Sequence, residues 1–309
     1  MSYLGNLTLH LAAGADRLPE EIRARHAAYL ADAQNADGGF SARAGPSDLY
    51  YTSFALRALA LLGELDAARA GRAAGFLGAQ WERQLPGIDF LSLVTAAALV
   101  EMATAVDVFA QAGRDRRQSV IDFVERFRRR DGGYAKTPGS AHGSTYHTFL
   151  VAACKQMIGA PLEGAKQMAE FVRSRQRPDG GFVEIAPMRH SGTNPTAAAV
   201  GLLQILGRLD EPTRGAATEF LAGMQTKEGG LRANTRIPVA DLLSTFTGLV
   251  ALAGIDAASA IDTAAVRRFV TSLERPHGGF RAGAFELAVD VEYTFYGLGS
   301  LALLAMVHG

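Results

Sequence analysis

Three aspartates stand at one recurring place in the sequence. Asp48, Asp241 and Asp290 each lie four residues before a threonine: Thr52, Thr245 and Thr294. A carboxylate just ahead of a helix accepts the unsatisfied N–H groups of its first turn, so an N-cap is the first reading of all three. Two histidines share a second place. His142 and His190 each lie six residues before a threonine, Thr148 and Thr196. Arg232 and Arg236 follow in the stretch LRANTRIP. Helix N-termini attract anions through exposed N–H groups and the helix dipole, and arginine adds forked donors that suit phosphate oxygens. A histidine beside such an end either satisfies a turn or helps to hold a phosphate. The Arg-rich ERFRRRDGG (125–133) reads as a solvated helix end, where cations suit the dipole. There is no P-loop, dinucleotide fingerprint or Cys/His zinc pattern.

These residues are positioned by a repeat. Gly-Gly pairs followed by an aromatic residue or Leu recur as DGGF (37–40), DGGY (131–134), DGGF (179–182), EGGL (228–231) and HGGF (277–280). The spacing is about 48 residues, with one double gap in which LPGIDF (85–90) is the expected degenerate copy. Six units therefore run from about residue 17 to 307. Each begins with an amphipathic segment such as AVRRFVTSLERP (265–276) and passes through the Gly-Gly turn. A Thr-led apolar segment follows, such as TAAAVGLLQILG (196–207). From Ser191 to Gly207 there is no Asp, Glu, Lys or Arg, so this helix is buried on both sides. One-sided and two-sided helices in alternation predict an all-α fold of two rings, amphipathic outside and apolar inside. An open stack would leave the inner helices a polar concave face. Closure into an α6/α6 barrel explains them better. A central apolar cavity suited to a lipid is then expected, with a solid core as the alternative.

Composition narrows the class further. Lys+Arg and Asp+Glu both count 31 in 309 residues, which argues against binding nucleic acid by phosphate neutralisation. Zero net charge likewise gives no reason to expect an anionic membrane surface as partner. Cys154 is the single cysteine, which fits a reducing compartment. The N-terminal stretch shows no signal-peptide pattern, and no segment reads as an integral membrane span. A cytoplasmic protein of one domain is the expectation.

The turns and Thr-led helices together resemble the prenyltransferase and terpene-cyclase (squalene-cyclase) repeat family over nearly the whole chain. That family folds as an α6/α6 barrel, the alpha-alpha toroid. The segments ADLLSTFTGLVALAG and AVDVEYTFYGLGSLALL are most similar to the β subunit of protein prenyltransferases, the Rab geranylgeranyltransferase type in particular. The resemblance implies a zinc site there, with Asp241 as one ligand. However, Leu243 and Tyr293 occupy the places of its Cys and His. Zinc wants three or four N, S or carboxylate ligands, so the site is expected to be lost, and no cofactor is expected. Magnesium accompanying a diphosphate is compatible with this. The resemblance places His190 at the family's diphosphate-binding His. Arg232 and Arg236 lie near it, out of register with the family's Arg and Lys, and His142, six residues before its threonine, reaches the same rim.

DVEYT (290–294) also resembles the Asp-x-Asp-Asp-Thr signature of class II terpene cyclases. The resemblance makes Asp290 and Glu292 candidate acids, with Glu292 at the proton-donating position. A carboxyl in an apolar cavity has a raised pKa and keeps its proton. Three functions follow. One is a prenyltransferase-like protein that binds an isoprenoid diphosphate and transfers the prenyl group without zinc, or only holds it. The second is a class II cyclase-like enzyme. The third is a non-catalytic barrel that dimerises. A separate α-helical partner subunit is implied by the prenyltransferase likeness, a homodimer by the scaffold reading.

Overall fold

The computed structural model describes residues 2–81, 83, 85–110 and 115–307. Among them the fold is all-α. The outer helices of the six repeats are α2 (Glu20–Asp32), α4 (Ala67–Gly78), α6 (Arg116–Glu125), α8 (Ala165–Arg173), α10 (Glu211–Ala222) and α12 (Thr263–Ser272). The inner helices are α3 (Leu49–Leu61), α5 (Gly87–Thr104), α7 (Thr145–Met157), α9 (Thr193–Ile205), α11 (Leu242–Gly254) and α13 (Val291–Val307). The only ladder among the described residues pairs β1 (Phe280–Arg281) with β2 (Val289–Asp290). A thirteenth helix, α1 (Tyr3–Ala15), precedes the repeats and was not expected from their period.

Burial follows the periodicity. Outer helix α12 buries Thr263, Val266, Phe269 and Val270, a single stripe. Inner helix α13 is buried at every residue from Thr294 to Leu304. The Gly-Gly turn explains how the two kinds of helix approach each other. At Gly180, φ is 83° and a Cβ would lie 2.4 Å from the Ala216 carbonyl oxygen of α10. At Gly181 a Cβ would lie 2.7 Å from the Phe220 ring. Only glycine fits either place.

A threonine in the first turns of five of the inner helices clamps this turn. Phe182, fully buried, donates its N–H to Thr196 Oγ1 at 2.9 Å. Thr196 Oγ1 in turn donates to the Gly192 carbonyl at 2.7 Å. The same N–H to Oγ1 bond joins Phe40 to Thr52, Tyr134 to Thr148, Leu231 to Thr245 and Phe280 to Thr294. Threonine leads the helix because its hydroxyl satisfies a buried backbone donor that has no ladder partner.

The chain divides into two compact units. One comprises residues up to Asn6 together with Arg117–Ser272. In it α9 packs between α7 and α11, with α8 and α10 outside. The other comprises Leu7–Arg116 and the residues from Leu273 onward. In it α3 packs between α5 and α13, so the last repeat meets the first. An open stack would hold those repeats apart.

Three details differ from expectation. LPGIDF forms no Gly-Gly turn: Pro86 precedes α5, and Gly87 and Asp89 already lie in its first turn. The inner helices are not all charge-free. Lys155 of α7 is 3% exposed and pairs with Glu125 of α6, which also holds Arg128 and the Tyr134 hydroxyl. Burial alone would raise the Glu125 carboxyl, but these donors bring it down to about 2. ERFRRRDGG is thus only partly a solvated end: Arg128 joins this network, and Arg129 donates to the carbonyls of Thr137 and Pro138. One helix among the described residues, α5, has the length and apolarity of a membrane span; it packs against α3 and α4 as a core helix.

Candidate active site

In the second unit, α3 and α13 start in register. Asp48 caps α3 by accepting from Tyr50 N and Tyr51 N at 2.8 and 3.2 Å. Asp290 does the same for α13, accepting from Tyr293 N at 2.9 Å. Two residues past each cap, Tyr50 and Glu292 therefore stand at equivalent places, and they meet. The Tyr50 hydroxyl donates to Glu292 Oε1 at 2.7 Å, and the Tyr296 hydroxyl donates to the same oxygen at 3.0 Å.

Aromatic rings surround this carboxyl. Phe54 lies 4.9 Å from Tyr50, 5.3 Å from Tyr296 and 5.6 Å from Phe295, centroid to centroid. Tyr293 lies 6.0 Å from Tyr296. The Arg57 guanidinium sits 4.0 Å from the Phe295 centroid and 5.2 Å from that of Phe54. A cation already rests on these ring faces, as the ring quadrupole favours.

Burial sets the protonation. It raises the Glu292 carboxyl above its ordinary range, against the pull of the two tyrosine hydroxyls. Burial, supported by the charge of Glu292, pushes Asp290 up to about 6 against the pull of its capping N–H. Asp89, in the first turn of α5, is raised by burial and by Asp48. The starts of α5 and α13 thus hold carboxyl groups that burial makes costly to ionise. Such a site can donate a proton and then stabilise positive charge between the rings.

The remaining sequence-derived residues are placed differently. Asp241 is the N-cap of α11: one oxygen accepts from Ser244 N at 2.7 Å and the other from Ser244 Oγ at 2.8 Å. With Leu243 offering no ligand atom and both Asp241 oxygens held by Ser244, these two residues do not fit a zinc ion. His142, His190 and Arg236 lie on exposed loop tips, and no described contact joins them. Arg232 donates to the Gly223 carbonyl at the end of α10, which departs from a phosphate-binding role. His142, His190 and Arg236 thus stand on exposed tips, while Arg232 is half-buried and turned to the end of α10.

Tyr50, Phe54, Arg57, Phe295 and Tyr296 were missed at the sequence level. A signal was present: Tyr50 and Phe54, like Glu292 and Tyr296, are four apart from the second position after a capping aspartate, and so share a helix face.

The prenyltransferase alpha-alpha toroid domain matches residues 18–89 and 94–308. The chain belongs to that family. No curated protein matches it. Among solved structures, this toroid is similar to protein geranylgeranyltransferase-I of Candida albicans complexed with GGPP. The TM-score is 0.72 at 13% identity, over 91% of each chain. It is also similar to a variant of the type II terpene cyclase MstE from Scytonema in complex with merosterolic acid A. There the TM-score is 0.64 at 16% identity, over 98% of this chain and 99% of that one. An alpha-1,6-mannanase from Salegentibacter shares the fold as well, with a TM-score of 0.68 at 10% identity. At these identities the toroid fold is what is shared, and function has to be argued from the site.

Proposed function

We propose that this toroid protein acts on an isoprenoid chain, with Glu292 as the acid that protonates a carbon–carbon double bond and starts ring closure. One observation carries the reading: a half-buried carboxyl with raised pKa is held by Tyr50 and Tyr296 among rings that accept a cation on their faces. In the first step the Glu292 O–H bond breaks and a C–H bond forms with the π electrons of the alkene. The neighbouring carbon becomes a cation, and a second double bond of the chain attacks it to close a ring. Loss of a proton from carbon to solvent ends the sequence, so product and substrate are isomers. The carboxyl groups at the starts of α3, α5 and α13 disfavour a diphosphate there and favour a neutral chain. The cyclase of the same fold is matched over 99% of its chain, which supports one toroid domain being large enough for this chemistry.

A second reading, binding of an isoprenoid diphosphate with or without magnesium, is favoured by the cationic tips around His142, His190 and Arg236. One assay separates the two. Wild type, Glu292→Gln and Glu292→Asp are incubated with farnesyl and geranylgeranyl chains, as alcohols and as diphosphates, and products are identified by mass spectrometry. Cyclic isomers of the alcohols should form, and Glu292→Gln should slow them about 10²–10⁴-fold. Unchanged turnover in Glu292→Gln would sink the acid role. Binding of the diphosphates alone, without isomers, would favour the second reading.

A further inference from the structure

The first unit presents three consecutive loops at the N-terminal ends of α7, α9 and α11. Hydrogen bonds join them in a row. Thr145 N and Oγ1 donate to the Glu184 and Val183 carbonyls at 2.9 and 2.7 Å. Thr193 N and Oγ1 donate to the Ala233 and Arg232 carbonyls at 2.9 and 2.6 Å. The tips of these loops are residues 136–142, 187–190 and 235–238, and nearly every residue in them is exposed. They carry Lys136, Arg189 and Arg236, together with His142 and His190, and no Asp or Glu. None of these side chains takes an ion pair among the described residues. The acid of the middle loop, Glu184, is turned inward, where it accepts from Ser144 Oγ and feels the charge of Lys136 without an ion pair. Each tip also holds a proline, Pro138, Pro187 or Pro238, which limits its freedom before any partner arrives.

Cations alone would suit any anion. The same tips, however, expose two large apolar side chains, Met188 at 45% and Ile237 at 39%. Apolar tips flanked by unpaired cations match a surface that is anionic outside and hydrocarbon beneath. We propose that this face docks on an anionic phospholipid bilayer, with Arg189, Arg236 and Lys136 among the headgroups and Met188 and Ile237 below them. The inference stands apart from the acid chemistry of Glu292.

Sedimentation of the full chain with phosphatidylcholine vesicles, and with vesicles that also carry phosphatidylglycerol, tests it. The protein should bind the second kind, and salt should weaken binding. Arg189→Ala with Arg236→Ala should weaken it about 25-fold, about fivefold per cation. Met188→Ser with Ile237→Ser should weaken it while leaving its salt dependence in place, and Glu292→Gln should bind like wild type. Circular dichroism checks that each variant is folded. Equal binding to both vesicle kinds, or wild-type binding by either double variant, would overturn the proposal. So would release by inorganic diphosphate beyond its ionic-strength effect, which would indicate a small-anion site instead.

Discussion

A carboxyl that hands a proton to carbon has to keep that proton near neutral pH. Burial raises Glu292 in that direction, and under the proposed role turnover should fall with rising pH along a limb displaced above the ordinary carboxylate range. A pH–rate profile measures it; a rate that is flat from acid to neutral pH would contradict the role. Asp290 gives a stability counterpart. Its folded pKa of about 6 lies above the ordinary 3.8, so the folded state holds the proton more tightly. Stability is lost as pH rises from the unfolded to the folded value. Asp290→Asn keeps an N-cap and cannot ionise. Its melting advantage over wild type should be absent below pH 4 and grow up to pH 6, to at most about 3 kcal/mol. Both acids were legible in DVEYT. Their tyrosine and phenylalanine partners were not, because contact across α3 and α13 depends on which repeats become neighbours.

Helices here are held in place by a side chain, since the turn and the inner helix share almost no ladder. Thr196→Val keeps the volume and removes the hydroxyl. The Phe182 N–H would then be buried without a partner, at a cost of about 1–3 kcal/mol. Chemical denaturation should show this loss, and an unchanged midpoint would mean that water replaces the hydroxyl. The period made the threonines visible in the sequence, as it did the glycines. Their shared function was not visible, because the backbone N–H that donates to Thr196 Oγ1 lies in a turn fourteen residues earlier. The N-cap reading of Asp48, Asp241 and Asp290 needed only local geometry and is what the structure shows. Cap residues need no aspartate, however: Ser144 and Gly192 stand at the same place ahead of α7 and α9.

Across the whole molecule, a net charge of zero conceals segregation. The tips of the first unit are cationic, while the helix starts of the second unit gather carboxyl groups. The toroid family was legible from the repeat alone. Metal content belongs to this scale too. Asp241 is committed to Ser244 and Leu243 offers no ligand, so elemental analysis of protein purified without chelator should find well under one zinc per chain. Near-stoichiometric zinc lost on Asp241→Ala would reverse that expectation. The acid-initiated reaction is tested most directly by running it with a geranylgeranyl chain in D₂O and weighing the product. Wild type should yield a cyclic isomer carrying one deuterium on carbon, and Glu292→Gln should form it about 10²–10⁴-fold more slowly. A product without deuterium, or equal labelling by the variant, would show that Glu292 does not start the reaction.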